Sequence, residues 1–146
     1  MFAFNVSTKA QTIPSWKVTD IEKYMKQDDS VMVISFWATF CKPCLEEIPY
    51  LQTLSKKYNA KVLLVSLDLK SEYPDKIIET AKTKNIYYPI VWLNETNADY
   101  FCPKVDKAWD GGMPSTLFMN NKKHYRHFVD HQMTETEFEE EMKKTL

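Results

Sequence analysis

The sequence predicts one continuous α/β domain in which strands and helices alternate. Three observations carry that expectation. Residues 31–37 and 62–67 are apolar runs of strand length, the first broken only by Ser35 and the second only by Ser66, and such runs suit a sheet covered on both faces. Turn and breaker residues fall between these runs at the intervals that alternating strands and helices need. No internal repeat, low-complexity tract or Gly/Ser linker divides the 146 residues. A compact chain of this length buries roughly 68–70% of its unfolded surface, enough for one core without stapling disulfides.

The elements follow in order. Thr19-Asp20-Ile21-Glu22 has capping-box spacing and opens a short helix to about residue 27. The strand at 31–37 comes next. A long helix then covers about 41–58 and bends where Pro49 removes a backbone donor and crowds the carbonyl of Leu45. The second strand is 62–67. Residues 74–84 read as a helix with Pro74 in its first turn, 88–93 as a third strand, and 96–109 as a helix interrupted at Pro103. Strands at 115–119 and 123–129 flank Asn120-Asn121, whose tolerance of positive φ predicts a tight hairpin turn. Thr134-Glu135-Thr136-Glu137 caps the last helix, and its acidic run at 139–141 reads as a solvated face.

Composition narrows the function. With 19 basic and 20 acidic residues and no long run of either sign, the chain lacks the electrostatic footprint of a nucleic-acid binder. No stretch approaches the ~18 apolar residues of a membrane span. Residues 1–10 read as a flexible N-terminus or as the remnant of a signal peptide, since Thr8-Lys9-Ala10 fits a small-x-small cleavage site. Three cysteines, two of them close together, suit catalysis better than a disulfide scaffold.

Cys41 and Cys44 stand three residues apart where the first strand turns into the long helix. A helix start offers unpaired N–H groups and the positive end of the dipole, so Cys41 is expected to be acidic and nucleophilic. Cys44, one turn on, is within disulfide reach and would be the resolving thiol. A half metal site or an inert pair are the rival readings. No second Cys-x-x-Cys exists to complete a zinc site, and His124, His127 and His131 read as surface residues. Helical phase places Glu47 in the apolar stripe formed with Leu51, Leu54 and Tyr58, near Cys44, while Glu46 points to solvent. A core-facing carboxyl should have a raised pKa and could take the proton of Cys44. Cys102, in Tyr100-Phe101-Cys102-Pro103, reads as a buried inert thiol or, less simply, a third redox participant. The only two glycines, Gly111 and Gly112, precede Met113-Pro114 and let that loop approach the cysteines.

Phe36-Trp37-Ala38-Thr39, the Cys41/Cys44 pair, Glu47 with Pro49, and Met113-Pro114 together resemble the thioredoxin superfamily, and within it the extracytoplasmic TlpA/ResA type. The resemblance runs from about residue 31 to the C-terminus. It implies a three-layer fold with a central mixed sheet flanked by helices and a helix-strand insertion between its halves. It places Pro114 as the cis-proline beside the cysteines, with the backbone of Met113 offered to an extended substrate. It matches Glu47 to the active-site glutamate of the ResA type, and Ser35 stands where thioredoxins carry a buried aspartate. Phe40 replaces their tryptophan before the first cysteine. Trp37 and Phe40 are expected to shape the docking surface, together with Lys42 and Pro43 between the two thiols.

The resulting expectation is a monomeric thiol-disulfide oxidoreductase that needs no metal or cofactor beyond its own disulfide. It would act as a reductase in the periplasm or otherwise outside the cytoplasm. The resemblance further implies disulfide-bonded protein substrates, apocytochromes c among them, and a membrane thiol reductant of the DsbD/CcdA kind. An oxidase or isomerase using the same residues, and a copper-carrying or docking module without turnover, are the alternatives.

Overall fold

Six strands and five helices alternate along residues 12–146, the part of the chain that the computed structural model describes. The expectation for residues 1–10 lies outside the described residues. In chain order the elements are β1 (Ser15–Trp16), α1 (Val18–Met25), β2 (Val31–Trp37), α2 (Lys42–Lys57), β3 (Lys61–Ser66), α3 (Asp75–Thr83), β4 (Ile90–Leu93), α4 (Ala98–Val105), β5 (Ser115–Asn120), β6 (Tyr125–Val129) and α5 (Glu135–Thr145). They build one sheet of order β1-β4-β3-β2-β5-β6. β1, β4, β3 and β2 run parallel, β5 pairs antiparallel with β2, and β6 pairs antiparallel with β5. The sheet is therefore mixed, and α3 with β4 supplies the additional helix and strand between its two halves.

Period-2 alternation along β2 explains the three layers. Val33 and Trp37 face a core shared with α2, α3 and α5, including Leu51, Ile77 and Phe138. Met32, Ile34 and Phe36 face the opposite core, formed with Val18 and Ile21 of α1 and Phe101 and Val105 of α4. Burial on both faces makes β2 and β3 read as apolar runs, interrupted only by Ser35 in β2 and by Lys61 and Ser66 in β3. On the first face α5 is tied to α2 by the Tyr58 hydroxyl and Lys57, which both donate to Glu139, at 2.6 and 2.9 Å.

Four features depart from the sequence reading by more than a residue or two at an element's end. Helix α1 begins at Val18 because Asp20, not Glu22, closes the cap: its carboxyl accepts the Lys17 N–H at 2.9 Å. The earlier start buries Val18 with Ile21 and Met25 on one face. β1 is an edge strand of two residues, too short to leave a periodic signal. α4 contains Pro103 and ends at Val105 rather than breaking at the proline. The carbonyl deprived of a donor belongs to Asp99, which is exposed and can bind water. The β5–β6 turn is wider than two residues. It closes through a single 3₁₀ turn, Asn121–Lys123, and places His124, not either asparagine, at φ 53°. The asparagines act through their side chains: Asn120 donates to Thr145 O, and Asn121 to Met25 O and Asp28 O, each at 2.8 Å.

Candidate active site

At the end of β2 the chain turns once and enters α2. The Cys41 N–H donates to Ala38 O at 3.1 Å, which closes the turn and leaves Cys41 at the N-cap of a 16-residue helix. Pro43 occupies the first turn, where a missing N–H costs no helical bond. Cys41 and Cys44 are joined in a disulfide with their Cα atoms 5.3 Å apart, and the Cys44 N–H donates to Cys41 Sγ at 3.3 Å. Cys41 keeps 8% of its surface and Cys44 2%, so Cys41 is the more accessible residue of the pair.

Around the disulfide the expected contact residues separate. Phe40 at the tip of the turn is 63% exposed, and Lys42 and Pro43 are exposed beside it. Lys42 approaches Glu46 only at 4.0 Å across an open surface, an ion pair of little consequence. Met113 is half-buried and packs against the cluster containing Cys41 and Cys44, and the Met113–Pro114 bond is cis. Trp37 corrects the reading. Its side chain is fully buried because the β2 alternation turns it into the core, so it cannot touch a docked partner and instead supports the turn from beneath. Among the described residues its indole N–H has no partner.

The glycines before Met113 have local roles as well. Gly111, at φ +94°, lies against the other core: a Cβ there would sit 3.7 Å from Cys102 Sγ, a normal contact, so the positive φ is what demands glycine. The Gly112 N–H donates to Asp110 Oδ1 at 2.9 Å, and Gly112 O accepts from Trp109 Nε1 and Ser115 Oγ at 3.0 and 2.8 Å. The loop before Met113-Pro114 is thus braced by hydrogen bonds.

Glu47 lies three residues beyond Cys44 on the buried face of α2, with 1% of its surface exposed, whereas Glu46 is open to solvent. Its Oε2 accepts the Met133 N–H at 2.9 Å and its Oε1 the Thr116 hydroxyl at 3.3 Å. Burial pushes the Glu47 carboxyl above the usual glutamate range; the Met133 N–H, the Thr116 hydroxyl and the charge of His131 oppose this without cancelling it. Ser35 pairs in register with Thr116 across β2 and β5, so no acid from β2 competes with Glu47. His124, His127 and His131 are exposed. Sequence reasoning missed the partners of this carboxyl, Thr116 and Met133, which come from distant strands and loops. It also missed Asp68, whose carboxyl accepts the Thr39 N–H at 3.1 Å beside the active-site turn. The signal was present as two polar residues, Ser66 and Asp68, at the end of an apolar run.

Cys102 is 3% exposed on α4, in the core of the opposite sheet face. Burial, with Asp110 and Asp99 nearby, pushes its thiol up to about 11, so it stays protonated and unreactive at neutral pH. Cys102→Ser is expected to leave disulfide exchange unchanged while costing about 1–2 kcal/mol of stability through its buried hydroxyl. Peptide mapping of oxidised protein should show Cys41–Cys44 and no bridge to Cys102; a Cys102 bridge would overturn its inert role.

The same fold occurs in solved structures. A thioredoxin-related protein from Neisseria meningitidis serogroup B superimposes with a TM-score of 0.66 at 24% identity, covering 81% of this chain and 86% of that one. StoA from Bacillus subtilis gives 0.57 at 21% identity, over 80% and 84%. These likenesses identify the fold as thioredoxin-like. Among curated proteins, the thioredoxin-like protein YneN of Bacillus subtilis is 35% identical over 91 residues, 59% of this chain and 54% of its own length. Thioredoxin of Staphylococcus aureus is 38% identical over 53 residues, 36% and 51%. The chain spans about half the length of the curated relatives it matches. The AhpC/TSA family profile matches residues 3–127, which takes in the turn, both active-site cysteines, Glu47 and Pro114, and the chain belongs to that family.

Proposed function

We propose that this chain is a thiol-disulfide oxidoreductase that reduces disulfides of proteins outside the cytoplasm. The observation that carries the reading is the Cys41–Cys44 disulfide at the N-terminus of α2 with the buried Glu47 carboxyl one turn further on. In the reduced chain the Cys41 thiolate attacks one sulfur of a substrate disulfide. That S–S bond breaks, a Cys41–substrate mixed disulfide forms, and the first substrate sulfur leaves as a thiolate. Cys44 then gives its proton to Glu47 and attacks Cys41 Sγ. The Cys41–Cys44 bond forms, the mixed disulfide breaks, and the second substrate sulfur leaves. Two electrons have passed from the dithiol to the substrate, and the internal disulfide must be reduced again by an external dithiol.

Phe40, Lys42, Pro43 and the backbone of Met113 form the docking rim, and Pro114 closes it against the cysteines. Backbone pairing at Met113 gives affinity with little dependence on substrate sequence. The extracytoplasmic setting is supported by the likeness to a secreted Mycobacterium tuberculosis disulfide oxidoreductase homologous to E. coli DsbE, with a TM-score of 0.62 at 13% identity. There a membrane thiol reductant of the DsbD/CcdA kind would recharge the protein, and the chain would work as a monomer on disulfide-bonded substrates such as apocytochromes c.

The reduced protein should cleave insulin disulfides catalytically in the presence of dithiothreitol. Mixed disulfides captured on Cys41 by the Cys44→Ala variant in the native host should contain envelope proteins. Inactivity towards insulin and every captured substrate would overturn the oxidoreductase reading, and capture of cytosolic proteins alone would overturn the location.

A further inference from the structure

One carboxyl group joins the turn before Cys41 to the end of β3. Asp68, 4% exposed, accepts the Thr39 N–H at 3.1 Å with each of its oxygens, the Thr39 hydroxyl at 2.5 Å with Oδ1 and the Ser66 hydroxyl at 2.6 Å with Oδ2. Asp68 is itself fixed from two strands. Its N–H donates to Ser66 Oγ at 3.1 Å, and its carbonyl accepts Trp92 Nε1 at 2.7 Å. Among the described residues no lysine, arginine or histidine forms an ion pair with it. A buried acid held only by neutral donors is costly unless each donor stays in place. Two of those donors belong to Thr39, in the middle of the Ala38–Cys41 turn.

We propose that Asp68 is a positioning residue that, through Thr39, fixes the turn delivering Cys41 to the N-terminus of α2 and so sets the reactivity of that thiol. The inference rests on the assignment of Cys41 as the nucleophile. Thiolate stabilisation at a helix start depends on where the sulfur sits relative to the first N–H groups. Here those groups are few, because Pro43 has none and the Cys44 N–H is the one that meets Cys41 Sγ. While the disulfide is closed, the covalent bond itself holds Cys41 over the helix. Once it opens, the turn is held by the Cys41 N–H to Ala38 O bond and by the Asp68 clamp. The clamp matters most in the reduced state, which is the state that attacks.

The test uses the reduced full chain and iodoacetamide, with attachment at Cys41 followed by mass spectrometry at fixed neutral pH. Thr39→Val removes the hydroxyl and keeps the shape. It is expected to slow Cys41 alkylation about fivefold, the size of effect that follows loss of one hydrogen bond, and to lower kcat/KM for insulin in proportion. Thr39→Ser keeps the hydroxyl and should restore both. If Thr39 acts through Asp68, adding Thr39→Val to Asp68→Ala, which removes both acceptor oxygens, should slow alkylation no further than Asp68→Ala alone. Thr39→Val with unchanged alkylation, even with a lower Tm, would overturn the proposal, as would full additivity with Asp68→Ala. Where Asp68→Ala does not fold, the Thr39→Val and Thr39→Ser pair decides. Wild-type protein inert to insulin would refute the proposed function and leave the alkylation comparison intact.

Discussion

Cys41→Ala should abolish disulfide reduction, a loss on the order of a thousandfold or more, because no other thiol among the described residues can replace the outer nucleophile. Cys44 has 2% of its surface exposed and Cys102 is buried on the far face of the sheet with its thiol pushed up to about 11. Cys44→Ala should behave differently. It retains the thiol at the helix start, so it should attack once, accumulate the mixed disulfide and stall, giving a single turnover in place of steady-state turnover. Stopped-flow release of a thiol from a chromogenic disulfide separates the two variants. Alkylation of the reduced wild type should label Cys41 first and with the lower pKa. Faster labelling of Cys44 would reverse the two roles.

Local signals made most of the active-site architecture legible. The cysteine spacing, the helix that follows and the helical phase that buries Glu47 beside an open Glu46 are properties of a few neighbouring residues, and each recurs in the fold. What the sequence hid depends on contacts distant in the chain. The acceptor of the Thr39 N–H lies on the loop after β3 and the donors to Glu47 on β5 and before α5, separations of 29, 69 and 86 residues. Periodicity carries no information about such pairs. Trp37 shows a related limit: its place beside the cysteines is local, but the alternation of β2 turns it inward with Val33, so nearness in sequence to Phe40 does not put it on the surface. At the hairpin, the asparagines suggested positive φ, whereas the structure spends them on side-chain bonds to α1, the loop after it and α5.

Glu47→Gln should lower disulfide-exchange turnover about 10- to 100-fold, the range in which a positioned proton acceptor contributes, while leaving the fold intact. Glutamine keeps an acceptor for the Met133 N–H, and the Thr116 hydroxyl can rotate to accept from the new amide. The loss should fall on the resolving step, so that mixed disulfide persists while the first attack by Cys41 is nearly unchanged. A second consequence has a fixed sign. Because burial raises the folded carboxyl above its ordinary value of 4.5, ionising it opposes folding. Its contribution to stability is fully present below the unfolded value and is lost as pH rises through the folded one. Across that window upward, Glu47→Gln should therefore gain in stability relative to wild type, with the difference levelling off once the folded carboxyl is ionised. Denaturant unfolding at a series of pH values, with an NMR titration of the Glu47 carboxyl in oxidised and reduced protein, measures both. A carboxyl titrating in the ordinary range, unmoved by reduction of the disulfide, would leave Cys44 without its base and require the proton to leave by water.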